Sequence, residues 1–223
     1  MTIATIFDMD GVLIDSQPLH YEIDIQVLQS CGYPATLADV TPFTGMSNPD
    51  RWPKYKEKFN LTPTAAELIT AAEKTMREIF NKTDLTPIEG IPQLLQSLND
   101  LGIPTGVASS SSHELIEMVL SRIGITHHFN KIVSGEDVKH GKPAPDIYLK
   151  AATQISLPPS QCIAIEDAPA GILSAKNAGF TTIAYKNPNT HGQIFTHADY
   201  VIDRYCECLE IIKTVRNNAG HTA

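Results

Sequence analysis

The feature that most constrains this 223-residue chain is a series of short apolar runs, most of them alternating with a helix-like stripe. Thr2 to Phe7 is β-branched and apolar on both alternating faces, as a strand buried on both sides of a parallel sheet must be. From about residue 87 the texture becomes regular. Pro92 opens a stripe of Leu94, Leu95, Leu98 and Leu101, and Gly102 stops it. Residues 103–108 read as a strand, and Ser111-x-x-Glu114 as the capping box of a helix running to Gly124. Strands over 131–134, 162–165, 181–185 and 200–202 follow, with helices over 145–155, 169–178 and from about 205. Successive βα units with right-handed crossovers predict an α/β fold built on a doubly wound parallel sheet.

Residues 16–86 interrupt that alternation. Leu19, Ile23, Val27 and Leu28 mark one helix closed by Cys31-Gly32, and Leu68, Ile69, Ala72, Met76, Ile79 and Phe80 mark another. Pro42, Gly45, Pro49 and Pro53 between them predict a broken loop region. The expected organisation is a Rossmann-like core over 1–15 and 87–223, with an inserted all-helical cap over 16–86 forming a lid on the sheet's carboxyl edge. Residues 217–223 read as a frayed tail.

Composition narrows the function classes. Seventeen Lys and Arg against 25 Asp and Glu give a net charge of −8, and no basic run is present, which argues against nucleic acid as a partner. No stretch approaches the roughly 20 apolar residues of a membrane helix, and MTIATIFDMDG lacks the layout of a signal peptide. Four scattered cysteines, Cys31, Cys162, Cys206 and Cys208, are expected to be reduced thiols in a cytoplasmic protein, a monomer or weak homodimer.

Ligands of such sheets bind beyond the carboxyl ends of strands. The first strand delivers Asp8 and Asp10 there, the second Ser109, and the fourth Glu166 and Asp167; a loop contributes Lys142. Four converging carboxylates repel one another unless a cation sits among them, and an all-oxygen set suits Mg²⁺. An aspartate fixed at a strand end can attack phosphorus, a second two residues on can act as acid and base, and Gly11 permits the turn after them. Serines before a helix N-terminus favour an anion, and the lysine of Lys142-Pro-Ala-Pro-Asp146 can neutralise a phosphoryl group in flight. The acids outweigh Lys142, so phosphate binding is expected to require metal.

The ordered set Asp-x-Asp-Gly, Ser, Lys-Pro and Glu-Asp resembles the haloacid dehalogenase-like superfamily over nearly the whole chain. Phe7-Asp-Met-Asp-Gly-Val-Leu-Ile-Asp-Ser16, Lys142-Pro-Ala-Pro-Asp146 and Ile165-Glu-Asp-Ala-Pro-Ala-Gly171 are similar to its β-phosphoglucomutase-like branch, which carries a helical cap after the first motif. The resemblance implies that Asp8 is the nucleophile and Asp10 the acid and base, with Ser109 and Lys142 holding the phosphoryl group. It further implies Mg²⁺ bound by Asp8, the Asp10 carbonyl and Asp167, with Glu166 ligating or supporting. On the substrate side it points to Ser110 and to His20, Gly45, Ser47, Asn48 and Lys74 of the cap.

Within the superfamily, Asp10 favours phosphoryl transfer over dehalogenation, and no marker of a phosphonatase lysine is found. His20 and Lys74 match mutase positions. The mutase loop Gly-x-Ser-Arg, however, reads Gly45-Met-Ser47-Asn48 here, and asparagine cannot clamp a distal phosphate bidentately. Arg51 is a possible substitute, and Ser112 replaces a common lysine. The reading preferred is a phosphatase acting on a small phosphorylated metabolite, a sugar phosphate, with a phosphosugar mutase second. A receiver module, a P-loop nucleotidase and a non-catalytic phosphate-binding protein fit less well, since each would lack part of this set or need a motif absent here.

Overall fold

The structure is a computed structural model and describes residues 2–44, 46–190 and 195–219. The chain divides into two compact units, Met1–Asp15 with Leu85–Ala223, and Ser16–Asp84.

The larger unit holds six parallel strands in the order β3-β2-β1-β4-β5-β6. These are β1 (Ala4–Phe7), β2 (Thr105–Ser109), β3 (Lys131–Ser134), β4 (Cys162–Glu166), β5 (Thr181–Tyr185) and β6 (Tyr200–Ile202). Helices α5 (Ile91–Asp100), α6 (His113–Arg122), α7 (Asp146–Ile155), α8 (Pro169–Ala178) and α9 (Cys208–Ala219) connect or follow them. Every residue of β1, β2 and β4 is buried, which is why these strands read as continuous apolar or small-residue runs. Ala4, Ile6, Ala108, Val133 and Ala164 of the strands meet Ile147, Tyr148 and Ala151 of α7 and Ala175 of α8 in one core cluster.

Phe7 pairs with Val107 on one side and Ile165 on the other. The strand order therefore reverses between β1 and β4, the switch point where doubly wound sheets open a crevice. The residues that leave those two strands at their carboxyl ends are Asp8 and Asp167.

The second unit contains α1 (Gln17–Ser30), α2 (Leu37–Val40), α3 (Asn48–Lys58) and α4 (Ala65–Lys82). Thr64 and Glu67 form a capping box that starts α4. Tyr33, Phe43, Trp52, Tyr55 and Phe59 stack in an aromatic chain, with centroids 4.2 to 5.7 Å apart.

Three sequence expectations need correction. The proline-rich segment is not all loop, because α3 runs through Pro53. Pro49 suits the first turn, and burial of Trp52 and Tyr55 compensates for the one hydrogen bond that Pro53 cannot donate. The cap of α6 is Ser112, whose hydroxyl accepts from Leu115 N–H, rather than Ser111, whose hydroxyl points elsewhere. The tail is ordered farther than its polarity suggests, since α9 extends to Ala219; residues 220–223 lie outside the described residues.

Candidate active site

Asp8, Lys142, Glu166 and Asp167 meet at the β1/β4 switch point. Lys142 Nζ donates to Asp8 Oδ1 at 2.7 Å, Glu166 Oε1 at 2.6 Å and the Ala108 carbonyl at 3.0 Å. The lysine comes from the loop ahead of α7, which Ser174 Oγ fastens by donating to the Ala144 carbonyl at 2.5 Å. Each of Asp8, Glu166 and Asp167 offers a carboxylate oxygen within 4.8 Å of the other two, and all three residues are buried.

Two glycines make that convergence possible. Gly11 has φ +76°, and a Cβ there would lie 2.2 Å from Asp167 Oδ2. At Gly171 in α8 a Cβ would lie 1.9 Å from Glu166 Oε1. Any side chain at either place would push a carboxylate out of the crevice.

The electrostatics follow from burial. Desolvation pushes Asp8 up to about 7, helped by Glu166 and Asp10 and opposed by Lys142. Desolvation, then the Glu166 and Asp8 charges, raises Asp167 well above the usual carboxylate range. Burial works against the Lys142 charge, but Asp8 and Glu166 outweigh it and hold the lysine above its ordinary value. Among the described residues one cation thus faces three acids, and Glu166 Oε2 is buried with no hydrogen-bond partner there. An orphaned carboxylate oxygen beside two further carboxylates is a donor set that fits a hard divalent cation.

Asp10 lies at the rim, half-buried, and its Oδ2 accepts from Ser111 Oγ at 3.2 Å. Its side chain is not one of the three clustered carboxylates. Ser109 is fully buried at the end of β2, where its Oγ accepts from Ser111 N–H; Ser110 is exposed. Asp8, Asp10, Ser109, Lys142, Glu166 and Asp167 therefore share one strand-end edge.

His20, half-buried on α1, packs on Phe80 at 6.1 Å, and Lys74 is exposed on α4. Ser47 is exposed and donates to Asp50 Oδ2 at 2.6 Å, and Asn48 Oδ1 accepts from Arg51 at 2.7 Å. Gly45 lies outside the described residues. Arg51 is turned inward, 9 % exposed, with Nε 3.2 Å from Asp24 Oδ2 and a further bond to the Met46 carbonyl.

Sequence reasoning passed over three site residues. Ser111 reaches Asp10; Thr190 Oγ1, in the loop after β5, donates to Asp167 Oδ2 at 3.2 Å; and Tyr148 OH donates to Glu166 Oε1 at 2.7 Å. Only Tyr148 carried a signal, since a tyrosine on the buried stripe of a helix needs a partner for its hydroxyl.

The model of the family described as haloacid dehalogenase-like hydrolase matches residues 5–185. A fructose-1-phosphate phosphatase of Escherichia coli is 30 % identical over 181 residues, 80 % of this chain and 93 % of that protein. A phosphorylated carbohydrates phosphatase of Thermotoga maritima is 28 % identical over 81 % of this chain and 83 % of its own. The crystal structure of β-phosphoglucomutase from Clostridium difficile superposes with a TM-score of 0.82 at 24 % identity, covering 98 % of this chain and 99 % of that one. With most of its length matched and its acids gathered at the β1/β4 edge, the chain belongs to the haloacid dehalogenase-like hydrolases.

Proposed function

We propose that the protein hydrolyses a small phosphate monoester, a sugar phosphate, in a Mg²⁺-dependent reaction through an aspartyl-phosphate on Asp8. The observation that carries this reading is the buried constellation of Asp8, Lys142, Glu166 and Asp167 at the sheet's switch point. Asp8, Glu166, Asp167 and, by family analogy, the Asp10 carbonyl would hold the cation. When bound, it would neutralise the acids and the incoming phosphate oxygens.

The remaining chemistry belongs to the chain. A carboxylate oxygen of Asp8 attacks phosphorus, the phosphorus–oxygen bond to the leaving group breaks, and Asp10 gives that oxygen a proton. Lys142 and the Ser109–Ser110 strand end offer donors to the phosphoryl oxygens. Asp10, now a carboxylate held by Ser111, takes a proton from water as that water attacks the aspartyl-phosphate and frees Asp8.

Hydrolysis is favoured over a mutase reaction by Arg51. A mutase must grip a second phosphate, and the arginine that could replace the missing loop arginine is spent on Asp24, Asn48 and the Met46 carbonyl. Ser112, where a lysine is common, is occupied as the α6 cap. The named substrates of the Escherichia coli and Thermotoga maritima relatives are phosphorylated carbohydrates, which supports the same class here.

A phosphomonoester panel with Mg²⁺ tests the reading. Phosphate release from at least one member, abolished by Asp8→Asn, is expected; a wholly inert panel overturns it. With β-glucose 1-phosphate and a trace of the 1,6-bisphosphate, glucose 6-phosphate forming without free phosphate would establish the mutase instead.

A further inference from the structure

Glu166 is buried with its two oxygens unequally used. Oε1 accepts from Lys142 Nζ at 2.6 Å and from Tyr148 OH at 2.7 Å, while Oε2 has no partner among the described residues. Both donors come from one segment, since Lys142 precedes α7 and Tyr148 lies in its first turn. Tyr148 is itself 0 % exposed. Its ring packs edge-on against Phe180 at 5.3 Å and lies beneath the Lys142 ammonium, also at 5.3 Å. The phenol cannot turn away without leaving its hydroxyl unsatisfied in the core.

We propose that Tyr148 is a positioning residue that pins Glu166 through Oε1, so that Oε2 alone is presented to the metal. A carboxylate held at one oxygen by two donors is a one-oxygen ligand in a fixed place. Released from Tyr148, it can turn its free oxygen toward Lys142 as well and withdraw it from the crevice. The tyrosine touches neither substrate nor phosphoryl group; it acts through Glu166. The inference rests on the proposal above that a divalent cation sits among Asp8, Glu166 and Asp167.

Calorimetric titration of the full chain with MgCl₂ tests it, with Tyr148→Phe as the variant that keeps the ring and removes only the hydroxyl. Loss of such an outer partner costs about 10- to 100-fold in metal affinity. Tyr148→Phe should therefore bind Mg²⁺ at least tenfold more weakly and need correspondingly more Mg²⁺ for half-maximal phosphatase activity. Saturating Mg²⁺ should restore kcat, and the KM for substrate should stay put. A merely structural tyrosine would lower the Tm in EDTA and leave the Mg²⁺ titration unchanged, and that result overturns the proposal. Glu166→Gln gives a second test that does not depend on how Tyr148→Phe folds. Two donors at the Oε1 position hold the amide oxygen there and so place the NH₂ where Oε2 was, which should abolish calorimetric Mg²⁺ binding. Retention of wild-type affinity by Glu166→Gln would refute the proposal. If the unaltered protein itself binds no Mg²⁺, the metal reading fails, and that outcome is distinct from failure of the tyrosine's role.

Discussion

Replacing Gly171 with alanine sets two effects against each other. The position is helical with no positive φ, so on propensity alone alanine should stabilise α8 by about 1 kcal/mol. The new methyl, however, would lie 1.9 Å from Glu166 Oε1, 2.1 Å from its carboxyl carbon and 2.3 Å from Oε2. Reaching an ordinary contact of 3.4 Å requires the carboxylate to retreat by about 1.5 Å. The end of a glutamate usually swings aside at little cost, but this one is buried and tied to Lys142 and Tyr148 at 2.6 and 2.7 Å. A retreat of that size stretches both bonds beyond hydrogen-bonding range. Two bonds to a charged acceptor are worth about 3–6 kcal/mol together. Relief of repulsion with Asp8 and Asp167, and the helix gain, return part of that. The expected net destabilisation is about 2–4 kcal/mol, a fall of roughly 5–15 °C in Tm for a chain of this size. Thermal unfolding followed by circular dichroism, with and without Mg²⁺, measures it. Gly171→Ala should also lose most of the Mg²⁺-induced stabilisation. A Tm that rises by a few degrees with the Mg²⁺ effect intact would refute the placement of Glu166 on which the site depends.

Other predictions address the interior and the pH response. Asp24→Ala takes from the buried Arg51 its carboxylate, leaving only Asn48 and the Met46 carbonyl, and takes from the buried Tyr55 hydroxyl its acceptor, and should cost about 3–5 kcal/mol in urea unfolding, whereas Asp24→Leu combined with Arg51→Met and Tyr55→Phe recovers most of it; a loss below about 1 kcal/mol for the single change contradicts the buried pair. Without metal, burial holds Asp8 up to about 7 against an ordinary 3.8, so the folded chain keeps a proton that the unfolded one releases. That contribution to stability is present at low pH and declines as pH rises toward 7. Mg²⁺ must displace that proton and any that the raised Asp167 carboxyl holds, so calorimetric affinity should fall by at least about tenfold per unit below pH 7; a flat profile would show that Asp8 is already ionised. His128 is the opposite case. Burial, with His127, lowers it from 6.5, and its Nδ1 accepts from Asn99 at 2.8 Å only when neutral. Its contribution is present above pH 6.5 and lost as pH falls, so His128→Gln should flatten the Tm profile on the acid side; an unchanged slope would assign the acid sensitivity elsewhere.

The core of the site was legible because a parallel sheet does the gathering. Once β1 and β4 are neighbours at the reversal of strand order, the residues that follow them have no other place to go, and Asp8, Glu166 and Asp167 meet. Lys142 was legible for a similar reason, as the lysine that two prolines stiffen in the loop ahead of a core helix. What stayed hidden depended on which partner a side chain would choose. Tyr148 looks like one more core residue until the packing of α7 brings its hydroxyl to a glutamate 18 positions on. Arg51 looks available for a phosphate until α3 turns it toward Asp24 on α1. Ser111 and Ser112 are chemically identical, and the division of labour between Asp10 and the α6 cap is decided by one residue of helix register. Pro53 reads as a helix breaker because the burial of its neighbours Trp52 and Tyr55, which offsets the missing donor, exists only once the helical unit has packed.

The central claim is that phosphate passes through Asp8. Rapid quench of the enzyme with a turned-over monoester and Mg²⁺, followed by borohydride reduction and peptide mass spectrometry, tests it directly. Conversion of Asp8 to homoserine, dependent on both substrate and Mg²⁺ and absent from Asp8→Asn, is the predicted result. Steady hydrolysis with Asp8 never modified, or full turnover by Asp8→Asn, would contradict the account.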